Sequence, residues 1–123
     1  MKISLNAINN VDNHKKQILK ERAQKIYNSF NDYYLYKSIE YRVETALEHY
    51  RYIYKEKLNI SEVTIFALYV AFPDDINFMQ LMEKYGGCYK RISNLYGINE
   101  KFVELRHCVY QSLNGVKTLN LKK

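Results

Sequence analysis

The residues of this chain best suited to bind a metal are His49 and Glu62. A zinc peptidase requires two histidines one helical turn apart, a glutamate beside the first as general base, and a third ligand from another helix. The segment Leu47-Glu48-His49 holds a single histidine, and His14 and His107 are distant from it in sequence. A lone histidine at the margin of an apolar stripe is typical of a hydrogen-bonded packing residue, so this pattern favours packing over zinc binding.

The segment 92–103 has the spacing of a helix-turn-helix, in which a small residue and a glycine let two helices cross closely. Ser93 is the small residue, and Gly97, four positions later, permits the turn. Helix-turn-helix proteins read DNA with the first turns of the second helix, which here carry Glu100 and Glu104. Because carboxylates match neither phosphates nor guanine edges, the segment favours a structural corner between two helices. A small basic DNA-binding transcriptional regulator stays the alternative, with Lys90, Arg91 and Lys101 as its DNA-binding residues.

Net charge, cysteine content and hydropathy indicate which partners and which cellular compartment the chain suits. The net charge of +6 is spread along the chain, which is compatible with weak, non-specific nucleic-acid binding but does not require it. Cys88 and Cys108 form neither a disulfide framework nor a CxxC metal motif. The sequence shows no signal peptide and no apolar run long enough to span a bilayer. We therefore expect a cytoplasmic protein that does not associate with membranes.

The central element that positions these residues is a predicted helix over 61–72. Ser61 is its expected N-cap, and Glu62 lies at the positive end of the helix dipole. Pro73 ends the helix, because proline lacks a backbone N–H and clashes with the preceding turn. Apolar residues recur along it at helical spacing and indicate one buried face, in which Phe66 is expected to be fully buried. This face consists of Val63, Phe66, Ala67 and Val70.

The longest predicted helix covers 38–57, begins at Ser38 and carries a continuous apolar stripe at a period of 3.6 residues. The stripe consists of Ile39, Val43, Ala46, Leu47, Tyr50, Ile53 and Tyr54. Four further helices are predicted. The first covers 12–30, begins at the cap Asp12 and has a break within 28–32, and the second covers 74–85 and ends at Gly86-Gly87. The third covers 88–96, with Ile92 and Leu95 facing inward, and the fourth begins at the cap Asn99 and ends at Gly115.

These patterns predict a mainly α fold. A chain of 123 residues that is 47% hydrophobic suits one domain with a real core. We expect a single small helical domain of five or six helices over residues 1–123, with a helix-turn-helix-like C-terminal corner. The termini, 1–11 and 117–123, are expected to be loose.

The central helix and the segments around it resemble the ImmA/IrrE family of metallopeptidase-like proteins. In that family a helix with HExxH precedes a helix of the form E-A-x-x-F-A-x-x-L-L-M-P and a tail of the form I-A-x-x-Y-G-V-x-x-x-x-V-x-x-R. The resemblance covers residues 38–113. The matching residues are Glu62, Phe66, Ala67 and Pro73 in the second helix, and Ile92, Ser93, Tyr96, Gly97, Ile98, Val103 and Arg106 in the tail.

The HExxH motif itself is degenerate in this chain. Aligned from His49, it places Thr45 at the first ligand and Ala46 at the general base. Two protein ligands are a weak zinc site, and no glutamate remains to deprotonate a water. The resemblance therefore implies no catalytic residue, no bound metal and no other cofactor. If zinc is retained after all, its ligands are His49 and Glu62, and the chain is a zinc-dependent peptidase with an atypical site.

The resemblance also implies a mode of action. Members of the family commonly occur in phages and mobile elements, beside a helix-turn-helix repressor that the active forms cleave. We expect a non-catalytic protein that binds another protein, such as that repressor, through the cleft where the active site would lie. Tyrosine and arginine are frequent anchors of protein interfaces. The residues of the expected protein-binding surface are Arg42, Thr45, His49, Tyr52 and Glu62.

Overall fold

The computed structural model describes residues 8–34 and 36–121, with the backbone alone for 115–121. The main elements of these residues are six helices. These ranges contain no strand, so the predicted mainly α fold is confirmed. Within them, no helix is both long enough and apolar enough to cross a bilayer. We label the helices α1 (Asn13–Tyr34), α2 (Ile39–Tyr54), α3 (Ile60–Ala71), α4 (Asp75–Lys84), α5 (Tyr89–Tyr96) and α6 (Glu100–Leu121).

Helix α3 is the centre of the fold, and it packs against α1, α2 and α6. Every residue from Thr64 to Ala71 is buried, so the helix has an apolar surface on all sides rather than on the one predicted face. Phe66 is wholly buried, as predicted, and its ring lies edge-on to Tyr50 of α2, with 5.1 Å between the ring centroids. The helix ends at Ala71, two residues before Pro73.

The start of α3 differs from the prediction, because its N-cap is Asn59 rather than Ser61. The Glu62 N–H donates to Asn59 Oδ1 at 2.8 Å, and the Asn59 N–H donates to Glu62 Oε1 at 3.0 Å. This reciprocal pair is a capping box, which satisfies two backbone donors at once. Ser61 is already inside the first turn.

Helix α2 begins as predicted and ends early. Ser38 accepts a hydrogen bond from the Tyr41 N–H at 3.1 Å. The helix stops at Tyr54, because Lys55 takes a left-handed conformation with φ 52°. The predicted end at residue 57 is therefore wrong, and so is the burial of Ile53, which is 45% exposed.

Helix α1 begins where it was predicted and has a kink in the predicted break. Asp12 Oδ1 accepts a hydrogen bond from the Lys15 N–H at 2.8 Å. Phe30 has non-helical dihedral angles (φ −127°, ψ 22°), after which the helix continues to Tyr34. At and beyond the kink, Phe30 and Tyr33 contact His49 of α2.

The C-terminal helices form the predicted corner, with two corrections. Ser93 and Val103 are buried, and Gly97 has a left-handed φ of 64° that permits the turn. Leu95 was expected to point inward but is 57% exposed. Helix α6 does not close at Gly115 but continues to Leu121.

The predicted loose termini lie partly outside the described residues. Of the two predicted loose segments, residues 1–7 and 122–123 are outside the described residues. Within the described ranges, Ile8 and Val11 are buried in the core.

Candidate protein-binding surface

Four of the five predicted interface residues lie along one flank of α2. Arg42, Thr45, His49 and Tyr52 follow each other at intervals of three, four and three residues, which keeps them on the same side of the helix. Arg42, Thr45 and His49 are half-buried, whereas Tyr52 is 76% exposed. The predicted surface is therefore contiguous over α2, but Glu62 does not belong to it.

His49 is held by the aromatic end of α1. Its ring stacks on Phe30 with 3.9 Å between the ring centroids and 18° between the planes. The Tyr34 hydroxyl lies 3.5 Å from His49 Nδ1, and the Tyr33 ring is edge-on at 6.0 Å. Burial raises the pKa of Tyr34 to about 12, so this hydroxyl stays protonated. His49 thus has the surroundings of a packing residue.

Glu62 lies near the opposite end of α1. Its carboxylate completes the α3 capping box and is 4.0 Å from Lys15 Nζ. Lys15 and Phe30 are fifteen residues apart on α1, which corresponds to about 22 Å of helix. Two ligands of one zinc ion must each approach it to about 2 Å. The structure therefore does not bring His49 and Glu62 together, and no three His, Cys, Asp or Glu side chains of the described residues form a metal-ligand cluster.

Exposed tyrosines surround the flank of α2. Tyr33 is 59% exposed, Tyr36 is 98% exposed, and Tyr41 is also an exposed large side chain. The Lys37 ammonium lies 5.1 Å from the centre of the Tyr41 ring, and the Lys55 ammonium lies 4.6 Å from that of Tyr52. We call this surface the tyrosine face, and define it as Tyr33, Tyr36, Tyr41, Arg42, Thr45, His49 and Tyr52.

A small cleft of about 290 Å³ opens in the tyrosine face between the end of α1 and the start of α2. Tyr34 and Tyr36 supply aromatic walls, and Lys37 and Arg42 supply positive charge against the single carboxylate of Asp32. Arg42 Nε is buried and has no hydrogen-bond partner among the described residues. Because Lys37 and Arg42 outnumber Asp32 among the charged residues of its lining, the cleft favours a ligand group that carries negative charge.

The alternative DNA-binding residues lie at the corner of α5 and α6. Lys90 and Arg91 are exposed on α5. Lys101 is also exposed, but its ammonium is 3.0 Å from the Glu104 carboxylate on the same helix. The first turns of α6, which would read DNA, therefore present the Glu100 carboxylate and a Lys101–Glu104 ion pair with little net charge.

The sequence-based interpretation missed two ionic clusters, one in the core of the bundle and one at its surface. In the first, Asp75 accepts hydrogen bonds from Arg106 Nη2 at 2.6 Å and from Lys20, and Arg106 is wholly buried. In the second, Glu56 accepts from Lys15 and from Arg22, both at 2.6 Å. The available signal for the first was a charged residue, Arg106, inside the apolar stripe of α6. The first cluster joins α1, α4 and α6, whereas the second joins α1 to the segment between α2 and α3, and we assign both a structural role.

Comparison with known protein families, with curated proteins and with solved structures finds no significant match to this chain. The resemblance to the ImmA/IrrE family therefore stays a prediction that rests on the residues quoted above.

Proposed function

We propose that this chain is a non-catalytic ImmA/IrrE-like protein, a pseudoenzyme encoded by a phage or another mobile element, that acts in the cytoplasm by binding another protein. The proposed partner is a helix-turn-helix repressor, the class of protein that active members of the resembling family cleave. The proposed binding surface is the tyrosine face.

The observation that carries this proposal is the exposure of several tyrosines around Arg42. A tyrosine offers a large, rigid contact area with a polar end, and tyrosine and arginine are enriched among the residues that dominate binding energy. Tyr36 is almost fully exposed and adopts a left-handed backbone conformation, with φ 62°. A bulky residue in this conformation is strained by about 1–3 kcal/mol, and such strain is concentrated at functional sites.

The geometry supports binding rather than peptide hydrolysis. Thr45 and Ala46 supply neither a metal ligand of the HExxH type nor a general base, and Ala46 is buried in the core. His49 is engaged with Phe30 and Tyr34, far from Glu62. The side chains of this flank can therefore contribute contact area and hydrogen bonds, but they do not assemble a hydrolytic centre.

The test is isothermal titration calorimetry, in which the purified protein is titrated with the purified helix-turn-helix repressor encoded beside it. Replacing Arg42 and Tyr52 together by alanine should weaken binding by about a hundredfold, because each is a candidate anchor worth at least about 1–2 kcal/mol. Ile76→Ala is the matched control, since Ile76 is comparably exposed but lies on α4. A double variant that binds the repressor as tightly as the parent, or a repressor that does not bind the parent, would contradict the proposal.

The second candidate, a DNA-binding regulator, is favoured by one observation, the formation of the α5–α6 corner with Lys90 and Arg91 exposed. The acidic start of α6 argues against sequence-specific reading. We expect only weak, salt-sensitive and sequence-independent binding to duplex DNA, measured by fluorescence anisotropy. A footprint on a defined operator at physiological salt would instead establish this second function.

A further inference from the structure

A second surface lies on the opposite flank of α2, away from the tyrosine face. A groove of about 600 Å³ separates the first half of α2 from the corner between α5 and α6. Its floor is apolar and is formed by Ile39, Val43 and Leu47 from α2 and by Ile98 and Phe102 from the corner. A groove of this size with an apolar floor is suited to receiving side chains of another protein.

The charged rim of the groove has one sign only. Glu40 and Glu44, one turn apart on α2, are the only charged residues that line it. Both are exposed, and neither has an ion-pair partner among the described residues. This rim is negative in a chain whose net charge is +6, so the groove favours an occupant that presents an apolar side chain together with positive charge.

The exposed face of α5 has that chemistry. Arg91 and Leu95 are separated by one helical turn and therefore share a side of the helix, with Lys90 next to them. Leu95 is more than half exposed, although it lies in a helix whose other aliphatic residue, Ile92, is fully buried. The next residue, Tyr96, lines the groove itself. The groove and its chemical complement are thus neighbours on the surface of one molecule.

We infer that a second copy of this chain docks here, as a two-fold symmetric dimer. Leu95 of each copy inserts between α2 and the corner of the other, and Arg91 of each copy pairs with Glu40 or Glu44 of the other. A two-fold axis requires that the same surface patch serves both copies, which is possible because groove and complement adjoin at Tyr96. The tyrosine face remains accessible in this dimer, since it lies on the other flank of α2.

The dimer is tested by sedimentation equilibrium over a range of protein concentrations. The parent should approach twice the 14.8 kDa mass of one chain, with a dissociation constant on the order of 10–100 µM, as expected of a small interface. Leu95→Asp should abolish the dimer. Ile76→Asp introduces the same charge at an exposed isoleucine of α4 and should leave the dissociation constant unchanged.

A charge exchange distinguishes this dimer from any other association. Glu44→Arg alone and Arg91→Glu alone should each weaken self-association at least about tenfold, because like charges then face each other. Mixing the two variants should restore dimers of about the parental affinity, since each groove then meets a complementary charge. A parent that stays monomeric at about 1 mM, or two variants that do not associate when mixed, would overturn the inference. A dimer that is lost when Tyr36 and Tyr52 are replaced by serine would also overturn it.

Discussion

Replacing Asp75 by asparagine should be among the most destabilising isosteric changes in this protein. Asp75 provides the counter-charge for Arg106, a fully buried guanidinium that also donates from Nε to the Phe72 carbonyl at 2.9 Å. The guanidinium carbon lies 4.4 Å from the centre of the Tyr69 ring and 4.9 Å from that of Phe78. Since aromatic rings enclose it, the Arg106 charge cannot turn to water when its carboxylate partner is removed.

The magnitude follows from the burial of the charge that is left behind. Removing one partner of a buried ion pair costs about 3–5 kcal/mol. Lys20 adds little to this cost, because its side chain is partly exposed and can regain solvent. For a chain of this length, such a loss corresponds to a decrease in melting temperature of roughly 10–20 °C. The measurement is thermal and urea unfolding followed by circular dichroism.

Two variants make the result interpretable. Asp74→Asn changes the neighbouring residue in the same way, and because asparagine caps helices as well as aspartate does, it should cost less than about 0.5 kcal/mol. Adding Arg106→Met to Asp75→Asn removes the stranded charge and should recover part of the loss. The reasoning is refuted if Asp75→Asn is no more destabilising than Asp74→Asn, or if the double variant is no more stable than Asp75→Asn alone.

The cluster of Asp75, Arg106 and Lys20 also makes the folding stability dependent on pH. Burial by itself would raise the pKa of Asp75, but the hydrogen bonds and positive charges of Lys20 and Arg106 outweigh burial and lower it. A carboxyl group with a lowered pKa in the folded state stabilises the protein above its ordinary pKa of about 4, and this contribution is lost as the pH falls through the folded-state value. The difference in unfolding free energy between the parent and Asp75→Asn should therefore shrink below about pH 4.

Three further outcomes are expected. Phe66→Ala should cost about 3–5 kcal/mol in unfolding free energy, as for other buried phenyl rings, and an unchanged urea midpoint would contradict the central position of α3. Hydrogen bonds from Lys15 and Arg22 lower the pKa of Glu56 to about 2. The stability advantage of the parent over Glu56→Gln should therefore shrink as the pH falls from 4 to 2, because the carboxylate becomes protonated. Equal acid unfolding curves for the two proteins would argue against this cluster. Equilibrium dialysis should find no stoichiometric zinc, whereas stoichiometric binding abolished by both His49→Ala and Glu62→Ala would contradict their separation.

Much of the fold was predictable because its signals are local. The caps Ser38 and Asp12 and the left-handed turn at Gly97 depend on residues within a few positions of each other, and the apolar period located α3, although it predicted only one of its buried faces. The choice of Ser61 over Asn59 as a cap was an error of the same local kind, since the Asn59–Glu62 spacing of a capping box was present in the sequence. For these elements, periodicity and cap chemistry are sufficient.

Features set by tertiary contacts were not predictable in this way. Ile53 and Leu95 continue apolar stripes, but they are exposed among the described residues. The spacing of apolar residues along one helix does not show whether another helix covers them. The pairing of Arg106 with Asp75 joins residues 31 positions apart. The alignment that left His49 and Glu62 as possible zinc ligands concerns order along the chain, whereas in space the two residues lie near opposite ends of α1.

The burial of α3 on every side has a consequence for how the molecule opens. A helix with a solvent face can expose its amides by fraying or by the departure of one neighbour. From Thr64 to Ala71 the backbone lies behind α1, α2 and α6 together, so no single helix can leave without exposing apolar surface of the core. We therefore expect hydrogen–deuterium exchange in this segment to require global unfolding and to report the full conformational stability of the domain. The termini of α1 and α2 can exchange through smaller, local openings while that centre stays intact.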